Sequence, residues 1–233
     1  EKDLLVPQNI QLGISEDNLD LLNYTIGTSE YTITVPDDAE TLYGQVGLLD
    51  AEPHLKWYSE TSASDDKWSN ANVNGVLDEK TTTSISIKGI QKFRLYINDV
   101  SLQTAKNAPL SAYYTFNIKR QVQLSDLTTS GAVRSDADFR TGNLDVYVAY
   151  DAETATLMPK AADGVTITVG DQEVTSGMGH TVTLTGADTV VKITVHRDGD
   201  NFVDGEYAVT FHKASDQAAP VFIEQPVSEV QEY

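Results

Sequence analysis

The 233-residue chain contains no cysteine. That absence excludes disulfides, thiolate metal sites and cysteine nucleophiles together, and it leaves the compartment open. Basic residues are scarce: 16 Lys and Arg stand against 35 Asp and Glu, a formal charge of -19. Such a surface repels a nucleic-acid backbone, so no nucleic-acid partner is expected. No apolar run approaches the roughly 18 residues that span a membrane, so no membrane insertion is expected within this sequence. A signal peptide is also missing, since the sequence opens on Glu1-Lys2-Asp3 without Met or a basic region leading into an apolar stretch. The expectation is a fragment or a processed chain, with export left undecided. No helical period extends beyond one or two turns, and there is no Gly-rich phosphate loop, HExxH pattern, nucleophile elbow or readable serine triad. The four histidines, His54, His180, His196 and His212, are scattered without metal-binding spacing.

What the chain does have is alternation. In Tyr114-Thr115-Phe116-Asn117-Ile118-Lys119-Arg120, the residues Tyr114, Phe116 and Ile118 share one face, which is the period of a half-buried strand. The stretch returns as Tyr207-Ala208-Val209-Thr210-Phe211-His212-Lys213, again closed by a basic residue. Two upstream strands repeat in the same order. Ile85, Ile87 and Gly89 correspond to Val182, Leu184 and Gly186, and Phe93, Leu95 and Ile97 correspond to Val191, Ile193 and Val195. Further alternating runs are read at Tyr24 to Val35, His54 to Ser59, Leu144 to Val148 and Val165 to Val169, and a further strand at Thr41 to Leu49, where Leu42, Gln45 and Val46 break the alternation. Short strands with regular turn signals, repeated one domain length apart, predict an all-β chain of two tandem antiparallel immunoglobulin-like β-sandwich domains. The expected division is 1–120, 121–214, and a linker at 215–233 that enters a following immunoglobulin-like domain. That last reading rests on Pro220 and Pro226 flanking the apolar Val221-Phe222-Ile223.

The second half has an early leucine pair (Leu124, Leu127), Phe139, the Leu144–Val148 strand and the Thr181–Thr185 hairpin with Gly186. Val191 to Val195, the Asp198-Gly199 loop and the closing Tyr207–Lys213 strand follow. This order resembles the bacterial cadherin-like β-sandwich domain, an immunoglobulin-like module found in tandem in secreted and cell-wall multidomain proteins. The first half departs from it through a longer, more aromatic middle, Trp57 to Leu77, and the lack of an Asp-Gly loop. The resemblance implies an extracellular or cell-surface bacterial setting and brings no catalytic or ligand residues with it.

Two concentrations of chemistry remain. Asp198, Asp200, Asp204 and Glu206 form the densest carboxylate cluster, and oxygen-rich loops are what calcium requires, although Phe202 stands where an EF-hand would place a ligand. A plain solvated hairpin is the preferred reading there, because Asp and Gly favour turns for local reasons. Trp57, Tyr58 and Trp68 are the second concentration, and exposed flat rings can hold sugar faces. Trp57 shares a face with Leu55 and reads most simply as core. Trp68 reads as a lid on its own domain ahead of a ligand platform. The expected role is a non-catalytic structural spacer or interaction module whose partners are the neighbouring domains of the same polypeptide. The alternative is a carbohydrate-binding or adhesin module using Trp57 to Asn74, with a glycan or a host or cell-surface protein as partner. An accessory part of a glycan-processing enzyme ranks last, since no acid and base carboxylates can be assigned.

Overall fold

The computed structural model describes residues 7–48, 55–63, 69–70, 82–99, 113–136 and 139–215. The chain divides into two units. The first comprises Glu1–Gln123 together with His196–Gly205, and the second Leu124–Val195 with Glu206–Tyr233. Strands β1 (Pro7–Gly13), β2 (Glu30–Pro36), β3 (Thr41–Leu48), β4 (Leu55–Ser62), β5 (Ser69–Asn70), β6 (Thr83–Ser86), β7 (Lys92–Asp99) and β8 (Tyr114–Gln121) come from the first half. The second half supplies β9 (Leu124–Ser130), β10 (Ala132–Asp136), β11 (Asn143–Val148), β12 (Thr154–Ala161), β13 (Thr166–Val169), β14 (Gln172–Val174), β15 (His180–Thr183), β16 (Asp188–His196), β17 (Phe202–Val203) and β18 (Gly205–Lys213).

Both units use one strand plan. In the first, β1-β3-β6 form one sheet, and the other runs β17-β8-β7-β4-β5 with β2 on the remaining edge of β8. The second unit repeats this as β9-β12-β15 and β10-β11-β18-β16-β13-β14. In each, an early strand runs parallel to the last one: β2 with β8 from Glu30↔Thr115 to Pro36↔Gln121, and β11 with β18 from Asn143↔Ala208 to Val148↔Lys213. Two sheets with this order, the chain crossing from one sheet to the other early, make each unit an immunoglobulin-like sandwich.

The alternation read from the sequence explains the cores. Ile10 and Leu12 of β1, Leu42 and Val46 of β3 and Ile85 of β6 meet Ile33, Val35, Phe93, Leu95, Phe116 and Ile118 of the other sheet, all at 0–2% exposure. In the second unit Leu144, Val146, Val148, Leu157, Ile193, Val195, Val209 and Phe211 are buried in the same way. Gly89 and Gly186, which the repeat pairs, both sit at positive φ (67° and 86°) just beyond β6 and β15, a conformation that glycine enters without a Cβ penalty.

Each last strand carries, at or near its start, a tyrosine that is tied back to the first strand. Tyr207, 5% exposed, accepts the Leu124 N–H at 2.9 Å. The ladders set Ile10 opposite Val46 and Leu127 opposite Pro159, so Pro7 stands where Leu124 does. Proline has no N–H to give. There the tie runs through Tyr24, which interacts with Tyr114 and donates its hydroxyl to the Pro7 carbonyl at 2.8 Å. Burial raises the pKa of both Tyr24 and Tyr114, so these phenols stay protonated.

Some strands differ from their expected extents. The run from Tyr24 to Val35 is a strand only over Glu30–Pro36, and Phe139 opens a 3-10 turn, Phe139–Thr141. Thr154–Ala161, with Pro159 inside it, forms the central strand β12, which the sequence reading passes over. No helix among the described residues is long and apolar enough to cross a membrane.

Candidate functional site

The first region of interest is the outer face of the β4–β7–β8 sheet. Phe93 and Leu95 are fully buried, so alternation puts Arg94 and Tyr96 on the face turned away from the core. The β4–β7 register sets Glu60 opposite Arg94 and Tyr58 opposite Tyr96, and β8 sets Thr115 opposite Arg94. Arg94 donates through Nε and Nη2 to Glu60 Oε2 at 2.7 and 2.6 Å, with about a fifth of each side chain exposed. The Arg94 guanidinium carbon lies 4.3 Å from the centre of the Tyr113 ring. Tyr113 is 37% exposed, and its ring stands 5.6 Å from that of Tyr96 at an angle of 47°. The result is a fixed ion pair beside two tilted phenol rings. Trp68 lies outside the described residues, as do the side chains of Trp57 and Tyr58. The β4 register places Trp57 opposite Ile97.

The second region is the loop between β16 and β18. Phe202 and Val203 pair parallel with Arg120 and Gln121, on the edge of β8 whose other end is taken by β7. The Arg120 N–H donates to Asn201 O at 2.8 Å, and the Val122 N–H to Val203 O at 2.9 Å. The Lys119 ammonium donates to the Asp200 carbonyl. Asp204 and Asp198 both turn to His196, at 2.7 Å from Nδ1 and 3.3 Å from Nε2. Glu206 pairs with Lys192 at 2.7 Å. Of the four candidate carboxylates, Asp198 and Asp204 flank an imidazole and Glu206 faces a lysine, while Asp200 contributes its backbone carbonyl. Among the described residues no three His, Asp or Glu side chains form a group that could hold a metal. The unfolding midpoint is expected to be the same with excess calcium and with chelator; a rise with calcium would mark this loop as a cation site.

The second unit has its own imidazole between two carboxylates. His212 lies 2.9 Å from Asp145 through Nε2 and 2.8 Å from Asp188 through Nδ1, and its ring stacks on Tyr147 at 5.0 Å. Hydrogen bonds to Asp145, then Asp188, raise the His212 pKa, and those to Asp204, then Asp198, raise that of His196. A histidine pKa raised by folding adds stability that is fully present below the unfolded value, about 6.5, and fades as pH rises through the folded value. The difference in unfolding midpoint between wild type and His212→Gln is thus expected to be largest below about pH 6.5 and to shrink as the pH is raised above it. A difference that holds constant or grows with pH would contradict the pairing.

An open cavity of about 380 Å³ lies in the second unit, lined by Val169, Asp171, His180, Val182 and Val191 among others. It explains why Val191, aligned with Phe93 by the repeat, is only partly buried.

No family model matches the chain, and neither does any curated protein. Among solved structures it is similar to the BSP domain of a biofilm-associated protein, at 14% identity and a TM-score of 0.22, covering 80% of this chain and 29% of that one. It is similar to the N-terminal eight immunoglobulin domains of the Down syndrome cell adhesion molecule, at 7% identity and a TM-score of 0.31, covering 80% and 22%. A third similarity is to the fibronectin(III)-like modules of Clostridium thermocellum CbhA, at 11% identity and a TM-score of 0.27, covering 85% and 97%. The chain spans less than a third of the length of the first two. At such identities the likeness extends to the fold alone, and the fold assignment rests on the strand orders and registers given above.

Proposed function

We propose that the chain is a non-catalytic, load-bearing spacer from an exported bacterial multidomain protein, standing between neighbouring domains of the same polypeptide at the cell surface. The observation that supports this most is the parallel pairing of β2 with β8 and of β11 with β18. In a parallel pair, tension that enters at the start of the early strand and leaves at the end of the last one slides the strands along each other. The bonds of the ladder then resist together rather than one after another. Seven residue pairs carry this load in the first unit and six in the second. The sequence resemblance to cell-wall modules supports the bacterial surface setting, and the charge of -19 suits a permanently solvated module.

End-to-end stretching of the whole chain by single-molecule force spectroscopy tests the reading, because forced unfolding is governed by the unfolding barrier. Two separate, high-force unfolding events are expected, one per unit. A chain that extends smoothly at low force is not a load-bearing spacer.

A further inference from the structure

We infer that the open edge of β15 in the second unit binds an extended, basic segment of another polypeptide. That segment adds a fourth strand to the β9-β12-β15 sheet and puts a large apolar side chain into the adjoining groove. β15 ends its sheet, in the order β15-β12-β9. The Leu184 N–H donates to Glu153 O at 2.9 Å, so by alternation the backbone groups of Val182 and His180 also face β12. Those of Thr181 and Thr183 therefore point the other way. Their N–H and C=O groups have no ladder partner among the described residues. An immunoglobulin-type sheet ordinarily carries a fourth strand at this edge. Here only Thr175 to Gly179 connect β14 to β15, and a turn with the Met178 N–H on Thr175 O at 3.0 Å occupies them. That connection is too short to supply the strand. Nor is the edge blunted by lysine or proline, since β15 reads His180-Thr181-Val182-Thr183.

The groove beside this edge narrows the ligand. Val169 and Val182, 3% and 7% exposed, line it together with the partly buried Val191. The repeat shows what it lacks. The counterpart of Val191 in the first unit is Phe93, 0% exposed and stacked on Phe116 at 4.5 Å, and the counterpart of Phe116 is Val209. The second unit thus has valines where the first has two rings, and the open volume of about 380 Å³ has room for a side chain of phenylalanine or leucine size. In strand addition the main chain supplies affinity and such a pocket supplies specificity. Charge sets the flanks. Asp171 lines the groove, Glu173 is exposed on the adjoining β14, and no Lys or Arg is among the lining residues. An acidic strand is repelled here, and so is a second copy of a chain at -19, whereas lysine or arginine beside the apolar residue is attracted. The parallel ladders of β2 with β8 and β11 with β18 take no part, so failure of this inference leaves the spacer reading standing.

The test is amide hydrogen exchange by NMR on the full chain, with a synthetic peptide that alternates phenylalanine and threonine between terminal lysines as the probe. In the free chain the Thr181 and Thr183 amides should exchange about tenfold or more faster than that of Val182, and saturating peptide should slow both by about tenfold. The same peptide with terminal glutamates, or with its backbone nitrogens methylated, should leave them unchanged. Val191→Phe, which installs the residue of the first unit, should weaken the lysine peptide about tenfold or more while unfolding no earlier than wild type. Slow exchange at Thr181 and Thr183 in the free chain overturns the inference. If that protection depends on protein concentration, a second copy covers the edge; if it does not, the chain covers its own edge. No slowing by the lysine peptide, equal slowing by the glutamate or methylated peptide, or undiminished binding to a folded Val191→Phe chain overturns it as well. The peptide comparisons are read on wild type, so they decide the matter even where the variant fails to fold.

Discussion

Replacing Phe116 by alanine is expected to destabilise the first unit by about 3–5 kcal/mol while leaving the second unit's transition in place. Phe116 is 0% exposed and lies between two rings. Its centroid is 4.5 Å from that of Phe93, nearly coplanar at 8°, and 5.3 Å from that of Tyr31 at 13°. Removing it opens a cavity between stacked rings that cannot collapse, because β2 and β7 are both hydrogen-bonded to β8. The chain provides its own reporter. Both tryptophans, Trp57 and Trp68, fall in the first unit and none in the second. Tryptophan fluorescence should therefore follow the first unit alone, while far-UV circular dichroism follows both. In urea, the fluorescence midpoint should fall by about 1–3 M and the second phase of the dichroism should stay where it is. A shift of both phases together would show that the two units do not unfold separately.

The second large effect is expected at Arg120. Its guanidinium donates to three backbone carbonyls: Ala39 at 2.7 Å, Ile87 at 2.5 Å and Asp37 at 3.5 Å. These carbonyls close the turn after β2 and the exit from β6, so one side chain fastens both sheets to the end of the last strand. Arg120→Met keeps much of the stem's packing and leaves those acceptors without their charged donor. A loss of about 2–3 kcal/mol is expected, since a hydrogen bond to a charged group contributes about 1.5–3 kcal/mol. The second unit supplies the internal comparison. Lys213 holds the equivalent position and donates Nζ to Leu184 O at 3.4 Å, Leu184 being the counterpart of Ile87. Arg120→Lys should then recover about half of the stability, because an ammonium reaches one carbonyl where the planar fork reaches several. Equal stability of the Met and Lys variants would show that packing of the stem, and not its donors, matters at this position.

Much of this architecture is legible in the residues themselves. Alternation at Tyr114–Arg120 and Tyr207–Lys213 marks both last strands, and the Ile85 and Val182 runs with their glycines mark β6 and β15. Local pattern suffices there because one face of the strand is buried and the other wet. It fails at β12, where Pro159 reads as a break. The strand tolerates it: its proline stands opposite Leu127 at the end where only β9 is paired, β15 having its partners at Thr154 to Leu157. The pairing of Phe202 and Val203 with the end of β8 was also invisible, because a two-residue parallel contact across about eighty positions leaves no periodic trace.

The candidate sites show the same limit. A carboxylate cluster is obvious as spacing, but spacing cannot say that Asp198 and Asp204 turn to His196 and Glu206 to Lys192. Conversely, Tyr96 and Tyr113 are seventeen positions apart and escape notice as a pair, although the burial of Phe93 and Leu95 already requires that Arg94 and Tyr96 face outward. Register, which brings Glu60 to Arg94, is the missing information.

The most direct test of the load-bearing account uses the chain's lack of cysteine to place unique handles on the β2–β8 pair. Glu30 and Thr115 lie opposite each other at one end of the ladder, and Gln121 lies at the other. Pulling between Glu30→Cys and Gln121→Cys slides the strands, and pulling between Glu30→Cys and Thr115→Cys peels them apart one bond at a time. The account predicts a markedly higher unfolding force for the first pair than for the second at the same loading rate. Equal forces in the two geometries would contradict it.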